Sequence, residues 1–143
     1  MSEVVLDAGI AAKWWLTGKE EQLRDEALDM LKRYVEGEIR FIVPDLFWPE
    51  LGNILWKAVR QRRCSRSLAE TALTETRERK FPTYSSRELM AEAFAIATKF
   101  DRTFYDSLYV ALAVGFKAEL VTADERLANA LAAYFPVKWL GAI

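Results

Sequence analysis

The stretch Val4-Val5-Leu6-Asp7-Ala8-Gly9-Ile10-Ala11-Ala12-Lys13 decides the fold of this 143-residue chain. Three apolar residues, two of them β-branched, read as a short strand buried on both faces. Asp7 ends it, and a helical pattern over residues 8–16 begins at once. Short apolar runs and longer helical patterns go on alternating along the chain. Residues 20–36 carry Leu23, Ala27, Leu28, Leu31 and Val35 at helical spacing, with Gly37 as the stop, and lead to a second strand, Phe41-Ile42-Val43, closed by Pro44. Helices are expected over 46–62, 67–80, 87–99, 105–116 and 124–133. Strands are expected over 119–121 and 137–140, and Phe81-Pro82-Thr83-Tyr84 reads as a poor edge strand because proline cannot donate to a ladder. Strand–helix alternation of this kind predicts a central, mostly parallel sheet covered by helices on both faces, a three-layer α/β/α fold. With no internal repeat, low-complexity tract or linker, residues 1–143 read as one domain.

Composition narrows the chemistry. Hydrophobic residues make up 52% and charged residues 29%, enough to bury a core. The formal net charge of −1 rules out a globally basic nucleic-acid binder and leaves local patches. There is no histidine, which removes imidazole general acid–base catalysis, Ser–His–Asp and Cys–His nucleophiles and imidazole metal sites. A single cysteine, Cys64, excludes a disulfide framework and has no histidine to activate it. The N-terminus bears Glu3 and Asp7 rather than a basic signal-peptide start, and no apolar run approaches the ~18 residues that cross a bilayer. A cytoplasmic protein with no membrane partner is the expectation.

Four acids fall at the ends of elements. Open parallel sheets bind ligands beyond the carboxyl ends of their strands. Asp7 lies there directly after its strand, and Asp124 lies three residues after Val121. Glu50 and Asp106 open helices beside apolar surface. At ~100° per residue Glu50 sits about 40° from Ile54, on the rim of the buried face, and Asn53 shares that rim. Asp106 begins Asp-Ser-Leu-Tyr-Val-Ala-Leu-Ala-Val, a helix apolar nearly all round, where an ionised carboxylate is costly without a positive partner. Structural roles compete with functional ones. Thr122-Ala-Asp-Glu125 and Thr103-Phe-Tyr-Asp106 both follow the capping-box pattern, and Glu50 suits a solvated surface. Asp7 has no hydroxyl before it as a cap, and Lys13 is its nearest cation in sequence. Clustered carboxylates raise one another's pKa, and a hard divalent cation removes that penalty. Mg²⁺ suits carboxylates and phosphate substrates and needs no histidine. Two expectations follow. The carboxylates of Asp7, Glu50, Asp106 and Asp124 should converge on one pocket. Asn in place of Asp7 or Asp106 should leave the metal-free fold at least as stable.

These residues carry a resemblance. Val4-Val-Leu-Asp7-Ala-Gly-Ile-Ala-Ala-Lys-Trp14, Pro44-Asp-Leu-Phe-Trp-Pro-Glu50-Leu-Gly-Asn53-Ile-Leu-Trp56, Tyr105-Asp106-Ser-Leu-Tyr-Val-Ala-Leu-Ala113 and Leu120-Val-Thr122-Ala-Asp124-Glu-Arg-Leu127 resemble, in order, the motifs of the PIN-domain ribonucleases. The likeness is closest to the VapC-type toxins of toxin–antitoxin pairs. It implies a Mg²⁺ or Mn²⁺ site built from Asp7, Glu50, Asp106 and Asp124, supported by Thr122 and Asn53, that cuts single-stranded RNA. It also implies a homodimer and a small antitoxin partner. An RNA-processing relative that is not a toxin is the alternative within the family. Asp101 maps onto no catalytic position.

Other features fit this frame. Arg60, Arg62 and Arg63, in the basic segment 57–66, and Lys13 are candidates for gripping RNA phosphates, against the plainer role of solvated helix surface. Trp14, Trp15, Trp48 and Trp56 suit core or dimer packing better than base stacking. A phospho-receiver domain would need adjacent acids after its first strand, and Leu6-Asp7-Ala8 offers one. A haloacid-dehalogenase-type phosphatase needs a second Asp at the position of Gly9. A non-catalytic binding module on the same fold is the remaining alternative.

Overall fold

Short apolar runs become strands and the amphipathic stretches between them become helices, as period-two and period-3.6 patterning dictates. The computed structural model describes residues 2–143. In chain order the elements are β1 (Ser2–Leu6), α1 (Ala8–Lys13), α2 (Arg24–Val35), β2 (Ile39–Pro44), α3 (Phe47–Arg60), α4 (Arg66–Glu78), β3 (Thr83–Tyr84), α5 (Ser86–Phe100), α6 (Phe104–Phe116), β4 (Glu119–Thr122), α7 (Glu125–Leu131) and β5 (Val137–Trp139).

The sheet runs β3-β2-β1-β4-β5 with every pairing parallel. Val4 stands opposite Phe41 on one side and Glu119 on the other. The chain therefore winds outward from β1 to β3, then returns to lay β4 against the free side of β1. The reversal puts a topological switch point at the carboxyl ends of β1 and β4.

Alternation along the strands divides the core. Val4 and Leu6 of β1 and Phe41 and Val43 of β2 pack with α1, α2, α3 and α4 on one face. Val5, Ile42, Leu120 and Val137 pack with α5, α6 and α7 on the other. Three layers result. The α6 helix is buried from Ser107 to Ala113, in accord with its nearly continuous apolar sequence. Among the described residues no helix is long and apolar enough to cross a membrane.

The departures from the sequence reading are local. Helix α1 stops at Lys13 and α2 starts at Arg24, because Gly18 (φ 111°) and Leu23 (φ 57°) turn left-handed between them. That connection is tied down. Trp14 Nε1 donates to the Ala27 carbonyl at 2.9 Å, and the Arg24 guanidinium donates to the carbonyls of Leu16 and Trp14. The indole of Trp14 is a core side chain, 5.8 Å from the Phe41 ring. Edge strand β3 is reduced to two residues, with Pro82 using its carbonyl to accept from Val43 N–H at 3.0 Å.

Candidate active site

Asp7 leaves β1 in an extended conformation and is itself the N-cap of α1. Its Oδ1 accepts from Gly9 N–H at 3.0 Å. Its Oδ2 accepts from the Thr122 hydroxyl at 3.2 Å and from Ala123 N–H at 3.1 Å. Both donors of the second pair sit at the carboxyl end of β4, Thr122 as its last residue and Ala123 directly after it, and they reach Asp7 because β1 and β4 are neighbours. Thr122 is buried, and while it donates to Asp7 it accepts from Asp124 N–H at 3.0 Å. Asp124 in turn caps α7, its Oδ1 receiving Arg126 N–H at 3.0 Å and Leu127 N–H at 3.2 Å. Capping and site-building are one arrangement here, since the acids that cap helices at the switch point also line the crevice.

Two more acids arrive from the helix layers. Glu50 is in the first turn of α3 and Asp106 in the first turn of α6, whose cap Thr103 accepts from Asp106 N–H at 3.1 Å. With Asp7, Asp124 and Thr122 they line a single cavity of about 200 Å³ floored by Leu120 and Leu127. Burial raises the Glu50 carboxyl above its ordinary range. The hydrogen bond from Tyr109 opposes this, and the charges of Asp7 and Asp106 add to it. Burial likewise raises Asp106, opposed by Thr103 and Arg102 and reinforced by Asp7 and Asp124. Glu50 thus feels the charges of Asp7 and Asp106, and Asp106 those of Asp7 and Asp124.

Tyr109, which sequence reasoning missed, also lines the cavity, and its hydroxyl donates to Glu50 Oε1 at 2.5 Å. Burial, then the charges of Glu50 and Asp7, hold it firmly protonated. Its position three residues after Asp106 puts both side chains on one face of α6, and that spacing was the available signal.

The remaining candidates lie elsewhere. Asn53 is exposed and lines no part of the cavity. Lys13 and Arg63 converge on Glu21. Lys13 Nζ is 2.9 Å from Oε1 and also donates to the Gln22 carbonyl, and Arg63 is 2.6 Å from Oε2. The Glu21 side chain is 9% exposed, so this triad is an internal clamp between the α1–α2 connection and the end of α3. Arg60 lies over the exposed Trp56 ring, its guanidinium carbon 5.1 Å from the centroid, and Arg62 turns left-handed after α3. The cation felt at Asp106 is Arg102. Asp101 is the left-handed C-cap of α5 and lies outside the cavity.

The donor set suits a hydrated hard cation. Among the described residues no three His, Cys, Asp or Glu side chains are drawn in as a ready-made ligand cage. Mg²⁺ seldom uses such a cage. It keeps several waters and takes one or two carboxylates directly, for which a four-carboxylate cavity has room and charge.

The PIN domain family profile matches residues 4–131 of this chain. Ribonuclease VapC3 of Pyrobaculum aerophilum is 30% identical over 129 residues, spanning 89% of this chain and 93% of that protein. A crystal structure from Pyrobaculum aerophilum superposes with a TM-score of 0.66 at 22% identity, over 99% of this chain and 85% of its own. A toxin–antitoxin complex from Klebsiella pneumoniae contains a chain that superposes at 0.60 with 17% identity, over 94% of each chain.

Proposed function

The chain belongs to the PIN-domain family, and from that premise we propose that it is an endoribonuclease that cuts single-stranded RNA with Mg²⁺ or Mn²⁺ and acts as a toxin silenced by a small antitoxin. One observation carries the reading. In a chain without histidine, carboxylates from four separate elements meet in one cavity at the switch point of the sheet, with two of them raised by burial and by their acidic neighbours.

Each residue has a role in this reading. Asp7, Glu50, Asp106 and Asp124 hold the hydrated ion, one or two of them directly and the others through its waters, and Thr122 keeps Asp7 and Asp124 in position by donating to one and accepting from the backbone of the other. Glu50 and Asp106 gain most from a cation, which offsets the cost of ionising these half-buried carboxyls. When bound, Mg²⁺ or Mn²⁺ supplies Lewis-acid polarisation of the phosphodiester and an activated water. Arg102, beside Asp106, offsets repulsion between the acids and an incoming phosphate. Arg60 and Arg62, both exposed, are available at the end of α3 and just beyond it, whereas Lys13 and Arg63 are engaged by Glu21.

The name of the Pyrobaculum relative supports RNA as substrate, and the Klebsiella complex supports an antitoxin. An apolar groove of about 420 Å³ lined by Trp48, Leu73, Thr74 and Arg77 suits an amphipathic antitoxin segment with an acidic residue for Arg77. Met90 and Phe94, exposed one turn apart on α5, suit a second copy of the chain.

The test is cleavage of an end-labelled single-stranded RNA by the purified chain. Cleavage should require added Mg²⁺ or Mn²⁺, stop on chelation and be lost in Asp106→Asn. Cleavage that persists in chelator, or in Asp106→Asn, would remove the metal reading.

A further inference from the structure

The four acids are not held equally well. Among the described residues Asp7 accepts from three donors and Asp124 from two backbone N–H groups, so both carboxylates are oriented by the fold. Glu50 has a longer side chain, and among the described residues its carboxylate makes one hydrogen bond, with Tyr109. At 2.5 Å the bond has the length expected of a hydroxyl donating to a carboxylate anion.

Tyr109 is well placed to impose an orientation. It is 4% exposed and packs within the layer of α5, α6 and α7, so its ring has little freedom. Glu50 belongs to α3, on the opposite face of the sheet, which packs with the other layer. The hydrogen bond therefore spans the two helix layers across the carboxyl edge of the sheet, and it joins the helix that carries Asp106 to the side chain of Glu50. Without it, Glu50 could swing toward water, which is favoured because burial disfavours its charged form.

We infer that Tyr109 is a positioning residue for the metal site, its hydroxyl holding Glu50 by Oε1 so that Oε2 is left to face a divalent cation. The inference rests on the proposed metal site and adds a residue to it. Partners of this kind that orient a ligand typically change metal affinity by 10–100-fold when removed.

The experiment uses the full chain and Mn²⁺ as the probe. Mn²⁺ affinity is measured by calorimetry for the parent, Tyr109→Phe, Glu50→Ala and the double variant, and melting temperatures are measured in chelator. Tyr109→Phe keeps the ring and removes one oxygen, so it should melt within a few degrees of the parent while binding Mn²⁺ about 10-fold more weakly. Its cleavage rate should recover as Mn²⁺ is raised, which a merely structural lesion would not do. The double variant should bind no more weakly than Glu50→Ala alone, because the hydroxyl acts through Glu50. A parent that binds no Mn²⁺ would overturn the metal reading and this inference with it. A parent that binds, with unchanged affinity in Tyr109→Phe or additive losses in the double variant, would overturn this inference alone. Failure of Tyr109→Phe to fold in chelator would assign the hydroxyl to the fold and overturn it equally.

Discussion

Replacing Asp7 by Asn removes one negative charge from the cavity and rearranges three hydrogen bonds. The first survives, since Asn is as good an N-cap as Asp and its Oδ1 can still accept from Gly9 N–H. The second oxygen becomes an NH₂ group facing the Thr122 hydroxyl and Ala123 N–H, now 3.2 and 3.1 Å from Oδ2. Thr122 can turn its hydroxyl to accept, but the Ala123 amide cannot, so a donor faces a donor. An orphaned amide costs about 1–3 kcal/mol, and hydrogen bonds to charged groups are among the stronger ones lost. Relief of repulsion with Glu50 and Asp106 offsets part of this. A net loss of about 2 kcal/mol follows, which lowers Tm by roughly 4–8 °C for a domain of this size. Asp106→Asn removes the same charge from a carboxyl that burial and its neighbours already disfavour, and its backbone N–H keeps its bond to Thr103. Its Tm in chelator should equal or exceed that of the parent. Thermal melts of both variants in chelator give the comparison, alongside RNA cleavage, which both should lose. Equal falls in Tm, or an Asp7→Asn protein as stable as the parent, would refute the reasoning.

Raised carboxyls make the metal-free fold sensitive to pH in a defined sense. Stability from neutral Glu50 and Asp106 is fully present below the ordinary carboxylate range and is lost as pH rises through their raised values. The stability gained by a Glu50→Gln, Asp106→Asn double variant in chelator should therefore be small near about pH 4 and grow toward about pH 7. A gain independent of pH contradicts this. Thr76 is fully buried in α4 and its hydroxyl has no partner among the described residues, so Thr76→Val should stabilise by about 1 kcal/mol in denaturant titrations. Glu21→Ala leaves Lys13 and Arg63 facing each other without their shared anion and should cost about 3 kcal/mol in the same titrations. Arg102→Gln should weaken RNA binding and flatten its dependence on salt by about one unit of slope, measured at two salt concentrations. Arg60→Gln and Arg62→Gln report whether RNA extends along α3.

Local pattern carried most of this protein. The order of elements, their approximate bounds and the three-layer architecture were legible because apolar periodicity is a property of neighbouring residues. The exclusion of histidine chemistry was complete in the sequence, and Asp7 and Asp124 could be assigned to strand ends from Val4-Val5-Leu6 and Leu120-Val121 alone. Pairings between distant residues were decided by tertiary structure. The return of β4 to the free side of β1 brings Thr122 and Ala123 onto Asp7, across a separation of more than 100 residues, and so ties the Asp7 carboxylate to β4 by two hydrogen bonds. Packing of α6 and α3 on opposite faces aims Tyr109 at Glu50, although Tyr109 reads as ordinary core in an apolar helix. The left-handed turns at Gly18 and Leu23 fold the α1–α2 connection back so that Glu21 meets both Lys13 and Arg63. Those two cations could be counted in the sequence, but the charge each would face depended on strand order and layer packing, which periodicity does not encode.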